Sequence, residues 1–245
     1  MLLLPLLRAL PHRTSSQPAP MPFADRLLQS LTDFPLPPPL PDGVTAYSPY
    51  QEPEPRTLFT EFARRYYADN QPRVAVLGIN PGRLGNGRSG VAFTDGPALT
   101  AWGIAHALPL RREPSSEFMQ AVVEAWGGPE PFYRQFYVGS LYPLVLLKDG
   151  RNYNFYDAPA LTEALWPDIQ TNLRQLVAEV GMARPAAVCL GRRNAKFFQR
   201  LNNELGLFEQ IHVLDHPRYL MQYQRRQLAE NVARYVEVLA MAAGL

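Results

Sequence analysis

Four short apolar runs, separated by stretches with helical spacing, constrain this 245-residue chain more than any other feature. They are residues 73–79 (RVAVLGI), 135–138 (QFYV) continuing toward 147, 186–190 (AAVCL) and 210–214 (QIHVL). The first is unbroken and rich in aliphatic side chains, the pattern of a strand buried on both faces in a parallel sheet. Around them, residues 57–69, 116–126, 166–180, 195–205 and 225–242 carry apolar side chains at helical intervals. Such alternation predicts an α/β chain, a three-layer αβα arrangement with a central, mostly parallel sheet of about four strands. In open sheets of this kind ligands bind beyond the carboxyl ends of the strands. The loops after Ile79, Val138, Leu190 and Leu214 are therefore where function is expected.

Composition narrows the class further. Apolar residues make up 47% and charged residues 19% of the chain, enough for a packed core, so wholesale disorder is excluded. The 25 prolines and the lack of a heptad run exclude a coiled coil. No stretch approaches the ~20 apolar residues of a membrane span. The single cysteine, Cys189, rules out disulfide scaffolds, Cys-rich zinc sites and four-Cys iron–sulfur clusters, and it fits a reducing compartment or indifference to one. A cytoplasmic monomer is the expectation.

One domain is expected over residues 21–245. Its first part, residues 21–56, holds a short helix at 23–31 and a proline-rich meander that should wrap the surface rather than build the core. Of the 25 prolines, 13 lie in the first 55 residues. Residues 1–20 begin with an apolar run that Arg8 interrupts, and they carry no acid. They read as a disordered leader or an overlong start with Met21 as initiator, since a secretory signal needs a longer apolar region preceded by basic charge.

A net charge of +2 is too small to imply a nucleic-acid partner by itself. Only Lys148 and Lys196 among the 24 basic residues are lysines, an arginine excess that suits phosphate recognition and that a GC-rich coding bias also produces. Distribution says more. Between Glu179 and Glu204 lie Arg184, Arg192, Arg193, Lys196 and Arg200 with no acid among them, a local basic patch.

The loop after the first strand, residues 77–97 (LGINPGRLGNGRSGVAFTDGP), concentrates Gly78, Gly82, Gly85, Gly87 and Gly90. Residues 82–89 match a P-loop with Arg88 in place of lysine, and residues 85–90 match GxGxxG. Either works only where the loop opens a helix whose N-terminus meets phosphate, and VAFTDGP supplies breakers and no helical face. The alternative is that Asn80 stands at the strand's mouth while the glycines let backbone approach a flat ligand.

Here the residues carry a resemblance. Gly78-Ile79-Asn80-Pro81-Gly82, followed by Gly90-x-x-Phe93, resembles the first motif of the uracil-DNA glycosylase superfamily. His216-Pro217-Arg218 directly after a strand resembles the second motif of its SMUG-type, single-strand-selective monofunctional branch, and the first motif is closest to a bacterial SMUG-like subgroup. Residues 138–144 (VGSLYPL) match that branch's V-x-N-x-C-P-L strand end, and Gly191-Arg192 matches the Gly-Arg after its next strand. Four blocks in the right order cover roughly residues 23–239. The resemblance implies excision of uracil from DNA by hydrolysis of the N-glycosidic bond, with the base flipped out and with no metal or cofactor.

Each role then has a candidate and an ordinary alternative. Asn80 would position water beneath C1′ of the sugar, where attack on an oxocarbenium-like centre needs orientation more than deprotonation; otherwise it caps the Gly-rich turn. Asp95 would assist as a base or serve as a turn residue before Gly96-Pro97. His216 would stabilise the anionic departing base as a neutral donor. Phe93 would stack on the flipped base or belong to the core. Gly78, Ile79, Pro81, Gly82, Gly139 and Ser140 would form the base pocket. Ser140 departs from the family's Asn, replacing a fixed donor and acceptor by one rotatable hydroxyl, so tolerance of xanthine or hypoxanthine is expected beside uracil. Arg218, Tyr219, Leu220 and Met221 would form a wedge and phosphate grip, or merely connect into the last helix. Arg192, Arg193 and Lys196 would meet phosphate at a helix start, or form a solvated face. Neither lysine falls in a motif loop, so no Schiff base is expected. A binding module that keeps the fold without cleaving, and a nucleotide-binding enzyme using the Gly-rich loop, are the competing functions.

Overall fold

The computed structural model describes residues 21–245, and the predicted leader lies outside them. The first helix, α1 (Phe23–Thr32), buries Phe23, Ala24, Leu27 and Leu31 along one stripe. The proline-rich stretch after it places Phe34, Val44 and Tyr50 in the core and forms a short strand, β1 (Thr45–Tyr47). Residues 21–56 thus build core as well as wrapping it. Prolines fix the chain's path, and the apolar side chains between them turn inward.

After α2 (Pro53–Tyr66) comes β2 (Arg73–Gly78), buried at every residue as its unbroken apolar run predicts. The chain then forms α3 (Asn86–Ser89), α4 (Gly96–Ala101), α5 (Pro114–Ala125), α6 (Pro129–Gln135) and β3 (Phe136–Ser140). The apolar run predicted to continue toward residue 147 is two strands, because the turn at Pro143 separates β3 from β4 (Val145–Lys148). Strand β4 pairs antiparallel with β1 and with β5 (Arg151–Tyr153), a small second sheet absent from the sequence reading. Asp149 and Gly150 join β4 to β5 with φ of 50° and 68°, the left-handed pair that a two-residue hairpin turn requires.

The remaining elements are α7 (Pro159–Gln175) with a π-helical turn at Leu176–Val180, β6 (Met182–Leu190), α8 (Arg192–Leu205), β7 (Gln210–Leu214), α9 (Pro217–Tyr223) and α10 (Leu228–Ala243). The main sheet has four strands in the order β3-β2-β6-β7, every pair parallel, and helices flank it. Gly78 lies opposite Ser140, and Leu190 opposite Leu214, so all four strands end along one edge. Strand β6 starts earlier than predicted. Pro185 lacks an N–H for the ladder, and the register against β2 slips there.

Arg73 anchors the other end of β2. Its side chain is fully buried, pairs with Asp69 at 3.0 Å, donates to the Tyr133 carbonyl at 2.8 Å and lies over the Phe23 ring at 4.4 Å. A buried guanidinium persists only when its donors are satisfied, and here carbonyls and a carboxylate do that.

Candidate active site

The loops leaving the carboxyl edge of the sheet enclose a cavity of about 900 Å³. Its floor is fixed by backbone. The Gly78 and Ile79 carbonyls accept from Leu141 and Tyr142 N–H, each at 3.0 Å, which locks the end of β2 to the turn after β3.

Asn80 leaves β2 half-buried at the wall of this cavity. Its Nδ2 donates to the Tyr153 carbonyl at 3.1 Å and the Pro81 carbonyl at 3.4 Å, while Phe155 N–H donates to its Oδ1 at 3.3 Å. Both amide hydrogens and one oxygen lone pair are therefore occupied. The second lone pair of Oδ1 is left as an acceptor, the one capacity that orients a water by its hydrogen. The β4–β5 hairpin supplies the constraint, and Asn152 Oδ1 also accepts from Arg83 N–H at 2.9 Å.

The Gly-rich loop does not cradle phosphate. Its only helix, α3, is four residues long, and its amides are spent internally: Gly87 N–H on the Gly82 carbonyl, Arg88 and Ser89 N–H on that of Gly85. The glycines answer packing instead. A Cβ on Gly90, whose φ is 71°, would lie 2.4 Å from the Pro55 carbonyl oxygen, and one on Gly87 would lie 2.7 Å from the Tyr47 hydroxyl. The nucleotide-binding reading loses its physical basis.

Phe93 has φ of 51°, a conformation that a bulky residue adopts only under constraint from its surroundings. The buried Ser89 hydroxyl supplies some of it, donating to the Thr94 carbonyl at 2.8 Å and accepting from Val91 N–H at 3.1 Å. The half-buried Phe93 ring faces the cavity 5.6 Å from the His216 ring. A Cβ on Gly78 would approach Phe93 Cζ to 3.2 Å, so glycine there makes room for the aromatic wall.

His216 ends the connection from β7 and caps α9. Its Nδ1 accepts from Arg218 N–H at 3.1 Å. An amide N–H can only donate, so Nδ1 carries the lone pair and Nε2 carries the hydrogen. Burial, reinforced by the Arg218 charge, pulls the imidazole pKa down to about 4. The ring is thus a neutral Nε2 donor at neutral pH.

Asp95 is buried on the cavity wall with both oxygens engaged. Oδ1 caps α4 through Ala98 N–H at 3.0 Å, and Oδ2 accepts from Glu113 N–H at 2.7 Å. This geometry makes Asp95 the cap of α4, the turn-forming alternative. Ile79, Pro81, Gly82 and Ser140 line the cavity with Gly78. Gly139 does not: a Cβ there would meet the Tyr137 ring at about 2.5 Å, so its glycine serves core packing.

The predicted wedge is corrected. Residues 217–223 are helix α9, with Leu220 and Met221 only 2% and 4% exposed. Tyr219 remains exposed and contacts exposed Tyr223, with ring centroids 5.2 Å apart. In the basic patch, Arg192 makes a two-pronged pair with Asp215 at 2.6 and 3.1 Å. Arg193 lies over the Tyr156 ring at 4.2 Å and 3.8 Å from Asp157, while Lys196 is exposed on α8. Sequence reasoning missed Arg83, Arg111, Arg112 and Arg151, all at the cavity mouth. The Asp149-Gly150 pair between two apolar-polar segments was the available signal for the hairpin that carries Arg151.

Residues 65–240 match the model of the uracil DNA glycosylase superfamily. The chain belongs to that superfamily. Among solved structures, the crystal structure of wild-type SMUG2 from Pedobacter heparinus is similar, with 35% sequence identity and a TM-score of 0.86, covering 92% of this chain and 100% of that one. No curated protein sequence matches. The four-stranded parallel sheet flanked by helices is the architecture shared with that structure. Among the described residues, no helix is long and apolar enough to cross a membrane.

Proposed function

We propose that this protein is a monofunctional DNA glycosylase that hydrolyses the N-glycosidic bond of uracil in DNA. Xanthine and hypoxanthine are secondary substrates, and it works as a monomer without metal. The observation that carries the reading is the pairing, across one cavity, of a free Asn80 acceptor with a neutral Nε2–H donor on His216. SMUG2 likeness and superfamily membership support the reaction class.

A base within a duplex is out of reach, so it is extruded into the cavity. Phe93 stacks on its face. The C1′–N bond breaks with its electron pair leaving on the base, and His216 Nε2–H donates to the base oxygen where that negative charge collects. Water oriented by Asn80 adds to the oxocarbenium-like C1′ and releases a proton to solvent. Lys148 and Lys196 are both absent from the cavity lining, which supports hydrolysis without a covalent imine. Leu110 and Tyr219 are exposed and adjoin the lining residues Pro109, Arg111 and Arg218 in the chain, and they supply apolar groups to occupy the space the base leaves.

The test is strand cleavage after alkali treatment of a uracil-containing oligonucleotide, using wild type and His216→Ala. Wild type should release the base, and the variant should be slower by roughly 10²-fold or more, the usual cost of losing such a donor. An inactive wild type that still binds the oligonucleotide would favour the non-catalytic module.

A further inference from the structure

Six arginines line the cavity: Arg83, Arg88, Arg111, Arg112, Arg151 and Arg218. All are exposed, and none has a carboxylate oxygen within 4.0 Å among the described residues. Asp95 and Glu113 are the only acids lining the same cavity, so six guanidiniums face two carboxylates. In a chain whose 24 basic and 22 acidic residues nearly cancel, this excess is local. Positive charge ringing a concave, low-dielectric site focuses its field outward.

Backbone contacts fix the chain where two of these arginines leave it, and one guanidinium is itself held. Asn152 pins the Arg83 amide at 2.9 Å, Gln120 Oε1 accepts from the Arg112 guanidinium at 2.7 Å, and the Arg218 amide is the donor that fixes His216 at 3.1 Å. The six come from the loop after β2, the loop before α5, strand β5 and the start of α9. Guanidiniums spread around a mouth match a chain of phosphates passing over it better than a single bound phosphate. Arg192 and Arg193, by contrast, already have partners on the protein.

We propose that these arginines form a collar that grips the DNA backbone on both sides of the extruded nucleotide, an assignment that rests on the glycosylase reading. The test measures binding of a fluorescein-labelled single-stranded oligonucleotide, bearing an uncleavable abasic analogue, by anisotropy over a series of salt concentrations. Arg83→Gln, Arg111→Gln, Arg112→Gln and Arg151→Gln are compared singly and combined. Arg134→Gln is the control, because Arg134 ends α6 and precedes β3 at the opposite edge of the sheet.

Each collar substitution should flatten the log–log salt slope by about 0.7, and the fourfold variant by about 3, with the control unchanged. Lysine at the same four positions should restore the slope. Thermal melting checks folding, and the single variants carry the test if the combined one melts early. A fourfold variant with the wild-type slope, or lysines that restore nothing, overturns the collar. Uracil excision by wild type together with unchanged slopes overturns the collar and leaves the glycosylase reading standing. Flattened slopes without excision by wild type keep the collar and remove that reading.

Discussion

His216 illustrates how one backbone contact sets a side chain's chemistry. Because Arg218 N–H occupies Nδ1, the ring can serve the cavity only as an Nε2 donor, and its pKa near 4 keeps it neutral. The rate of base release should then be flat between about pH 5.5 and 8 and decline only as pH falls toward 4; an inflection near the ordinary histidine value of 6.5 would contradict this. The same shift has a stability consequence. The unfolded ring binds a proton more readily than the folded one, so the contribution of His216 is complete above 6.5 and is lost as pH drops toward 4. At Asn80, the amide hydrogens point at two carbonyls. Asn80→Asp would set a carboxylate against those oxygens, so it should lower the single-turnover rate by roughly 10-fold or more rather than create a better base. Both motif residues were legible because each stands two residues past a strand end, whereas their tautomer and rotamer depended on Arg218 and Tyr153, partners that spacing alone does not reveal.

At the scale of elements, β2 was readable from its unbroken apolar run, since burial on both faces leaves no alternation to misread. Edge strand β7, buried only at Leu214, was read from a shorter run containing Gln210 and His212. Helix α9 was not. The segment HPRYLMQYQRR mixes apolar and basic residues as an inserting loop does, but its turn of helix directs Leu220 and Met221 inward and Tyr219 and Tyr223 outward. Leu220→Ala should therefore cost about 2–5 kcal/mol in chemical unfolding, the range for truncating a buried leucine. Tyr219→Ala should leave stability within about 0.5 kcal/mol and weaken oligonucleotide binding. Reversal of that pattern would restore Leu220 to the wedge. The β4–β5 hairpin also went unread, because an apolar run crossing Pro143 resembles one strand until its tertiary pairing is known.

Across the whole molecule, the candidate site lies at one edge of the sheet and Arg73 anchors the other. Arg73 is held by Asp69, Tyr133 and the Phe23 ring where β2 begins, tying α1 to the sheet. Arg73→Ala should lower unfolding free energy by about 3 kcal/mol, through orphaned carbonyls and a cavity, without changing the salt dependence of DNA binding. The near-neutral total charge concealed the arginine-rich mouth, because those residues come from four separated segments that only the fold brings together. The most direct measurement is a structure of the protein with an oligonucleotide carrying 2′-fluorinated deoxyuridine, whose electron-poor sugar resists bond cleavage. Expected is the uracil inside the cavity, its face on Phe93 and an oxygen about 3 Å from His216 Nε2. A uracil left stacked in the strand, or lodged away from Asn80 and His216, would contradict it.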